Sequence, residues 1–272
     1  FFLFLQEMAQ LNKFPIGIFD SGIGGTSIWS AINSLLPLEN TIYLSDSKNA
    51  PYGEKGKQNI IDLAIKNTEF LLAQNCKTIV VACNTATTNA IKILREKYDV
   101  PFIGIEPAIK PAALKTQTNT IGILATKGTL NSDLFEKTSN TINQEIIRKE
   151  IIGKGLVELI EEGKLYSEEM TTLLSSYITP LTKENVDCLV LGCTHYPYLI
   201  PQIRKLVGNK IQIIDSGEAV ARQTKTILEK HDLIQTINNN SSHQFYINKD
   251  KTVLEMLISN KDTKITVLEK DF

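Results

Sequence analysis

The chain is short of cysteine, of surplus charge and of long apolar runs, and each shortage closes off a class of protein. Four cysteines, Cys76, Cys83, Cys188 and Cys193, are too few to staple 272 residues, and none belongs to a Cys-x-x-Cys pair. Reduced thiols in a cytoplasmic protein are the expectation. Lysine and arginine number 29 against 30 aspartate and glutamate, a formal charge of −1. No general footprint for nucleic acid or an anionic membrane is present, and a small neutral or zwitterionic ligand fits that balance better. The N-terminal FFLFLQEMAQLNKFP holds only five consecutive strongly apolar residues, with no positive leading region and no small-residue cleavage site. It reads as neither a signal peptide nor a membrane span. Met8 is a candidate start, with Phe1 to Glu7 an upstream extension. Length alone leaves open one large domain or two modest ones.

What the chain does have is alternation. IGIF (16–19) predicts a short strand; DSGIGGTS follows, then IWSAINSLL with Ile28, Ile32 and Leu35 at the spacing of a helix face. TIYLSD (41–46) predicts a second strand, followed by a polar loop containing APYGEKGK and an amphipathic helix from about Gln58 to Asn75. TIVVAC (78–83) and VPFIGIEPA (100–108) are two further strands, separated by a helix that ends near Tyr98. Strands alternating with helices in this way imply an α/β fold, its parallel sheet covered on both faces and its ligands at the carboxyl ends of the strands.

The pattern then repeats. IGILATKGTLNS (121–132) echoes IGIFDSGIGGTS (16–27) at an offset of 105 residues, and DCLVLGCTH echoes KTIVVACNT at 110. IQIIDSGEA (211–219) answers FIGIEPAIK (102–110) in the same order. A duplicated unit is expected, giving two similar doubly wound parallel-sheet domains related by a pseudo-twofold axis. Cys83 and Cys193 would then face each other across the cleft. The polar, asparagine-rich stretch after His231 carries no chemistry that can be read from sequence.

Strand, GIGG, helix and a later strand ending in Asp46 imitate a dinucleotide-binding unit, but the last glycine of G-x-G-x-x-G is replaced by Ser27 and Asp20 sits where a pyrophosphate would lie. Glycines for a tight turn are the plainer reading. Zinc held by Cys83, Cys193 and His195 fails on spacing, since His195 is two residues from Cys193. Neither a metal nor any other cofactor is expected. Cys76 and Cys188 read as small buried hydrophobes. Cys83 and Cys193 differ because each ends a strand and precedes a helix start, where free N–H groups favour a thiolate. Asn84 and Thr85 could cap one such helix and Asp20 another, and His195 could be purely structural.

Two opposed thiols suit one reaction in particular. Inverting an amino-acid α-carbon without a cofactor needs a proton removed from one face and another delivered to the opposite face, which one base cannot do. A thiolate and a thiol across a cleft can exchange those roles with direction. Six motifs in order, GIFDSGIGGTS, APYGEKGK, VVACNTAT, GILATKGT, LGCTHYP and IDSGEAVA, run from about Ile16 to Leu228 and resemble bacterial glutamate racemase, of the cofactor-independent aspartate/glutamate racemase superfamily.

The resemblance implies interconversion of L- and D-glutamate, supplying D-glutamate for peptidoglycan in the cytoplasm. It implies Cys83 and Cys193 as acid/base thiols supported by Asp20 and His195. Substrate contacts implied are Asp20, Ser21, Tyr52, Gly53, Asn84, Thr85, Thr194 and His195, with Thr126 a weaker one. It implies a homodimer with no nucleic-acid or membrane partner, and two domains, 13–98 plus 210–272 and 99–209. One departure stands out: where the family has a Cys-Pro stretch leading to PLVE, this chain reads GKGLVELIEEG (153–163). The resemblance puts the motif's glutamate at Glu161, but Gly153 and Lys154 replace the Cys-Pro and Glu158 the inner proline, which leaves its role as helper of the second thiol open. A related amino-acid racemase, a decarboxylase needing one proton donor, and a non-catalytic gyrase-binding protein are the competing readings. Two thiols speak against the decarboxylase, and the charge balance, with no basic cluster, gives the binding protein little direct support.

Overall fold

The computed structural model describes residues 12–237, 240–259 and 264–272. The N-terminal segment around Met8 therefore lies outside the described residues. The first elements are β1 (Ile16–Asp20), α1 (Thr26–Leu35), β2 (Thr41–Ser45), α2 (Lys57–Ala73), β3 (Thr78–Val81), α3 (Asn84–Lys97) and β4 (Phe102–Gly104). Next come α4 (Ile109–Lys115), β5 (Thr120–Ala125), α5 (Lys127–Leu130), α6 (Asp133–Ser139), β6 (Ile147–Ile152), α7 (Leu156–Glu161) and α8 (Glu168–Ile178). The chain continues through β7 (Cys188–Gly192), α9 (Ile200–Val207), β8 (Gln212–Ile214), α10 (Gly217–Lys230), β9 (Ser242–Ile247), α11 (Thr252–Ile258) and β10 (Lys264–Glu269).

The strands form two sheets, β10-β9-β2-β1-β3-β4 and β6-β5-β7-β8, with every pairing parallel. The order β2-β1-β3-β4 is repeated as β6-β5-β7-β8, so the echo in the sequence is an echo in topology. Both faces of the central strands are dry. Ile79 and Val81 of β3 pack in one apolar cluster and Val80 in another, and in β7 Cys188 and Val190 are divided in the same way from Leu189 and Leu191. Strands buried on two sides read as continuous apolar runs, which is why TIVV and CLVLG contain no alternating polar residue. One cluster includes Ile18 and Trp29 from the first sheet's layer and Leu156, Leu191 and Tyr196 from the second's, so a continuous core joins them.

Strand pairing places β4 in the first sheet and β8 in the second, whereas boundaries after 98 and 209 would put each on the other side. The reason is that each ends a β-α-β crossover and pairs with the strand that began it, β3 or β7. The chain returns to the first half along α10, which packs on α1. The polar tail contributes β9 and β10, which extend the first sheet beyond β2; Phe245 is fully buried against Trp29 and Tyr43.

Candidate active site

The carboxyl ends of β1, β3 and β7 converge. Ser21, Tyr52, Gly53, Cys83, Asn84, Thr85, Thr126, Cys193, Thr194 and His195 all border one cavity of about 10 Å³, with Asp20 buried directly behind them. Cys83 itself is the N-cap of α3: its Sγ accepts the Ala86 N–H at 3.4 Å and faces the Ser21 hydroxyl at 3.6 Å. The cap role considered for Asn84 and Thr85 therefore falls to the thiol. Burial, then the neighbouring Asp20 charge, push the Cys83 thiol well above its ordinary value. Cys193 lacks an α-helix start. A 3₁₀ turn, Tyr196–Leu199, comes first, with prolines Pro197 and Pro201 opening that turn and α9. What Cys193 has instead is His195, whose Nδ1 lies 3.8 Å from Sγ.

His195 is the centre of a buried network. Its Nε2 meets Glu161 Oε1 at 2.7 Å, and the Gly24 N–H points at the same nitrogen from 3.2 Å. The same Oε1 accepts the Ile23 N–H at 2.6 Å, and Oε2 accepts the Ser47 hydroxyl at 2.6 Å. Burial opposes a charged imidazole, but its bonds to Cys193 and Glu161 outweigh burial and hold His195 well above its ordinary value. Asp20 is placed differently. Its Oδ2 accepts the Gly25 N–H at 2.7 Å, ahead of α1, and Thr194 Oγ1 donates to it at 3.2 Å. Burial raises the Asp20 carboxyl, with His195 and the Gly25 N–H pulling the other way. An imidazole braced by a carboxylate thus stands beside Cys193, and a second carboxylate beside Cys83.

The glycine loop does turn, with the Thr26 N–H on Ile23 O and the Ser27 N–H on Gly24 O, each at 3.1 Å, but the turn needs no positive φ. Gly22, Gly24 and Gly25 all keep negative φ or ordinary extended values, the positive-φ glycines being Gly155, Gly163 and Gly208. A Cβ on Gly22 would overlap the Glu161 carboxylate, and one on Gly24 would overlap the His195 ring. Within the turn, close approach is what requires glycine: Gly22 and Gly24 seat Glu161 and His195, and Gly25 faces Asp20 and Tyr43.

The remaining residues divide by what their polar atoms do. Thr85 Oγ1 and Thr126 Oγ1 meet at 2.8 Å across the cleft, and Thr126 caps α5. Asn84 is buried with neither end of its amide paired. Tyr52 borders the cavity, but its hydroxyl donates to Asp46 and accepts from Asn67 Nδ2, leaving only ring and main chain for a ligand. Cys76 and Cys188 stay in the core, their thiols pushed up by burial to about 12 and about 11. Of the network's members only Ser47 has no signal in the sequence, beyond standing next to Asp46; Glu161 has one, as the motif's glutamate in an altered setting, and the structure puts it against His195. Among the described residues no group of three or more His, Cys, Asp or Glu side chains is arranged to hold a metal ion, and no helix is long and apolar enough to cross a membrane.

Residues 25–224 match the family model for Asp/Glu/hydantoin racemases. A glutamate racemase of Cupriavidus pinatubonensis is 43% identical over 250 residues, 92% of each chain. The crystal structure of Escherichia coli glutamate racemase, in complex with L-glutamate and an activator, superposes with a TM-score of 0.82 at 31% identity, covering 94% of this chain and 98% of that one. That of the Francisella tularensis glutamate racemase, in complex with D-glutamate, gives 0.81 at 29%, covering 94% and 98%. The chain belongs to the Asp/Glu/hydantoin racemase family, among its glutamate racemases, and is an isomerase.

Proposed function

We propose that the chain interconverts L- and D-glutamate by transferring protons through Cys83 and Cys193. The observation that carries this reading is that the two thiols, at equivalent strand ends of two halves with the same strand order, border one cavity. In one direction the thiolate of one cysteine takes the Cα proton, the C–H electron pair is delocalised into the substrate carboxylate, and the thiol of the other delivers its proton to the opposite face. The sulfur that began as thiolate ends as thiol, and the reverse. His195, braced by Glu161, stabilises the thiolate of Cys193, and Asp20 serves the Cys83 side. The unpaired amide of Asn84, which costs free energy while buried and unpaired, suits a zwitterionic amino acid, as do Thr85, Thr126 and Thr194. Ser21 and the main chain of Tyr52 and Gly53 complete the contacts.

Family resemblance supports the wider setting: a cofactor-independent, cytoplasmic homodimer that makes D-glutamate for the bacterial cell wall, with no nucleic-acid or membrane partner. The same reading makes the sheet built on β1 and the sheet built on β5 two domains with the site between them. Circular dichroism of L-glutamate incubated with the pure protein tests the activity. The signal should decay to zero, and an unchanged signal would exclude it.

A further inference from the structure

Glu161 is held from both halves of the molecule. Its helix, α7, follows β6 of the second sheet, yet two of its hydrogen-bond donors come from loops of the first: the Ile23 N–H on Oε1 and Ser47 Oγ on Oε2, each at 2.6 Å. Oε1 also meets His195 Nε2, at 2.7 Å, the nitrogen that the Gly24 N–H faces at 3.2 Å. Ser47 is buried and firmly placed. The preceding Asp46 N–H donates to Asp20 O at 3.1 Å, and the Asp46 carboxylate is tied to Tyr52, Asn49 and Asn248. Behind the Glu161 carboxylate lies a cavity of about 170 Å³ bordered by Ser47, Glu158, Glu162 and Lys249. Without the Ser47 bond, Oε2 would open onto that cavity.

We propose that Ser47 is a positioning residue for racemisation: its hydroxyl anchors Oε2, which fixes Oε1 on His195 and thereby sets the charge beside Cys193. This rests on the two-thiol reading above. The Ile23 N–H on Oε1 and the Ser47 hydroxyl on Oε2 hold the carboxylate at both oxygens, so it cannot rotate away from His195, where its charge favours the imidazolium. The groups acting on His195 are Glu161 from α7, Asp20 from the end of β1 and Cys193 from its own loop; Tyr43 of β2 lies near Glu161.

Ser47→Thr and Ser47→Val form a matched pair, alike in shape and differing in the hydroxyl. The threonine variant should keep kcat within about 3-fold of native, while the valine variant loses on the order of 10- to 100-fold in both directions, the kinetic equivalent of one hydrogen bond to a buried charge. KM should change little, because Ser47 does not border the substrate cavity. The alkaline limb of the kcat profile should move to lower pH in the valine variant, since an imidazolium with a less firmly held counter-charge gives up its proton sooner. If the valine variant does not fold, Ser47→Ala takes its place in the comparison. Equal kcat and pH profiles in the two variants would overturn the proposal, and so would a loss in kcat with an unmoved alkaline limb, which marks a packing defect. Cys83→Ala and Cys193→Ala run alongside separate the two levels. If both are inactive while the Ser47 variants match each other, only the positioning role fails; if either stays active, the two-thiol reading fails.

Discussion

Replacing Gly24 by alanine places a methyl group where His195 already is. A Cβ built on Gly24 lies within 2.6 Å of the ring's Cε1 and closer still to Cγ and Nδ1. Non-bonded heavy atoms settle at roughly 3.5–4 Å, so ring or loop must shift by about an ångström or more. The ring has little room, being buried with Nε2 bonded to Glu161, which is itself fixed by Ile23 and Ser47. Such overpacking costs about 1–3 kcal/mol in stability. Displacing His195 by an ångström relative to Cys193 costs on the order of 10²-fold in rate. Racemisation followed by circular dichroism in both directions, with a thermal melt of the same protein, reads both effects: kcat should fall about 100-fold with a lowered Tm. A Gly24→Ala protein with native kcat and Tm would refute the claim that the loop is glycine-rich so that Glu161 and His195 can pack on it.

Cys83→Ala and Cys193→Ala should each abolish racemisation in both directions, a loss of at least about 10²–10⁴-fold, while Cys76→Ala and Cys188→Ala change only stability; steady-state rates of the four variants check this. Acid should destabilise the fold through His243. Thr41 Oγ1 accepts the Trp29 indole N–H at 2.9 Å and lies 2.8 Å from His243 Nδ1, and burial of this imidazole lowers its pKa to about 4. Its folded pKa lies below the unfolded value of about 6.5, so the unfolded chain binds the extra proton first. The associated stability is present above pH ~6.5 and is lost as pH falls toward ~4, about 3 kcal/mol in all. Urea unfolding between those pH values should show a shallower acid dependence for His243→Asn, and an identical dependence would contradict the assignment.

The alternating pattern, the duplication and the two thiols were legible because each depends on local sequence: apolar runs for strands, periodic faces for helices, a cysteine at a strand end. The site's supporting network was not, because it is tertiary. Nothing in GKGLVELIEEG says that Glu161 turns inward to the loop after β1, and the flanking Gly153 and Lys154 pointed away from it. The GIGG glycines were visible, but their purpose was hidden, since a glycine needed for space and one needed for φ look alike until the packed neighbour is known. β9 and β10 were obscured by polar surroundings; SHQFYI and KITVLE are short, and the partner of β9, β2, is some 200 residues earlier, as in the His243–Thr41 pairing.

The opposed-thiol mechanism is tested most directly by where solvent hydrogen goes. In D₂O at early conversion, D-glutamate formed from L-glutamate should carry deuterium at Cα, because the product proton comes from the thiol that has equilibrated with solvent. Remaining L-glutamate should carry little, provided the first thiol does not exchange before returning its proton. Mass spectrometry of the separated enantiomers gives both values. Substantial protium at Cα of early D-glutamate would show substrate hydrogen passing to product on a single base, and would contradict Cys83 and Cys193 as an opposed pair.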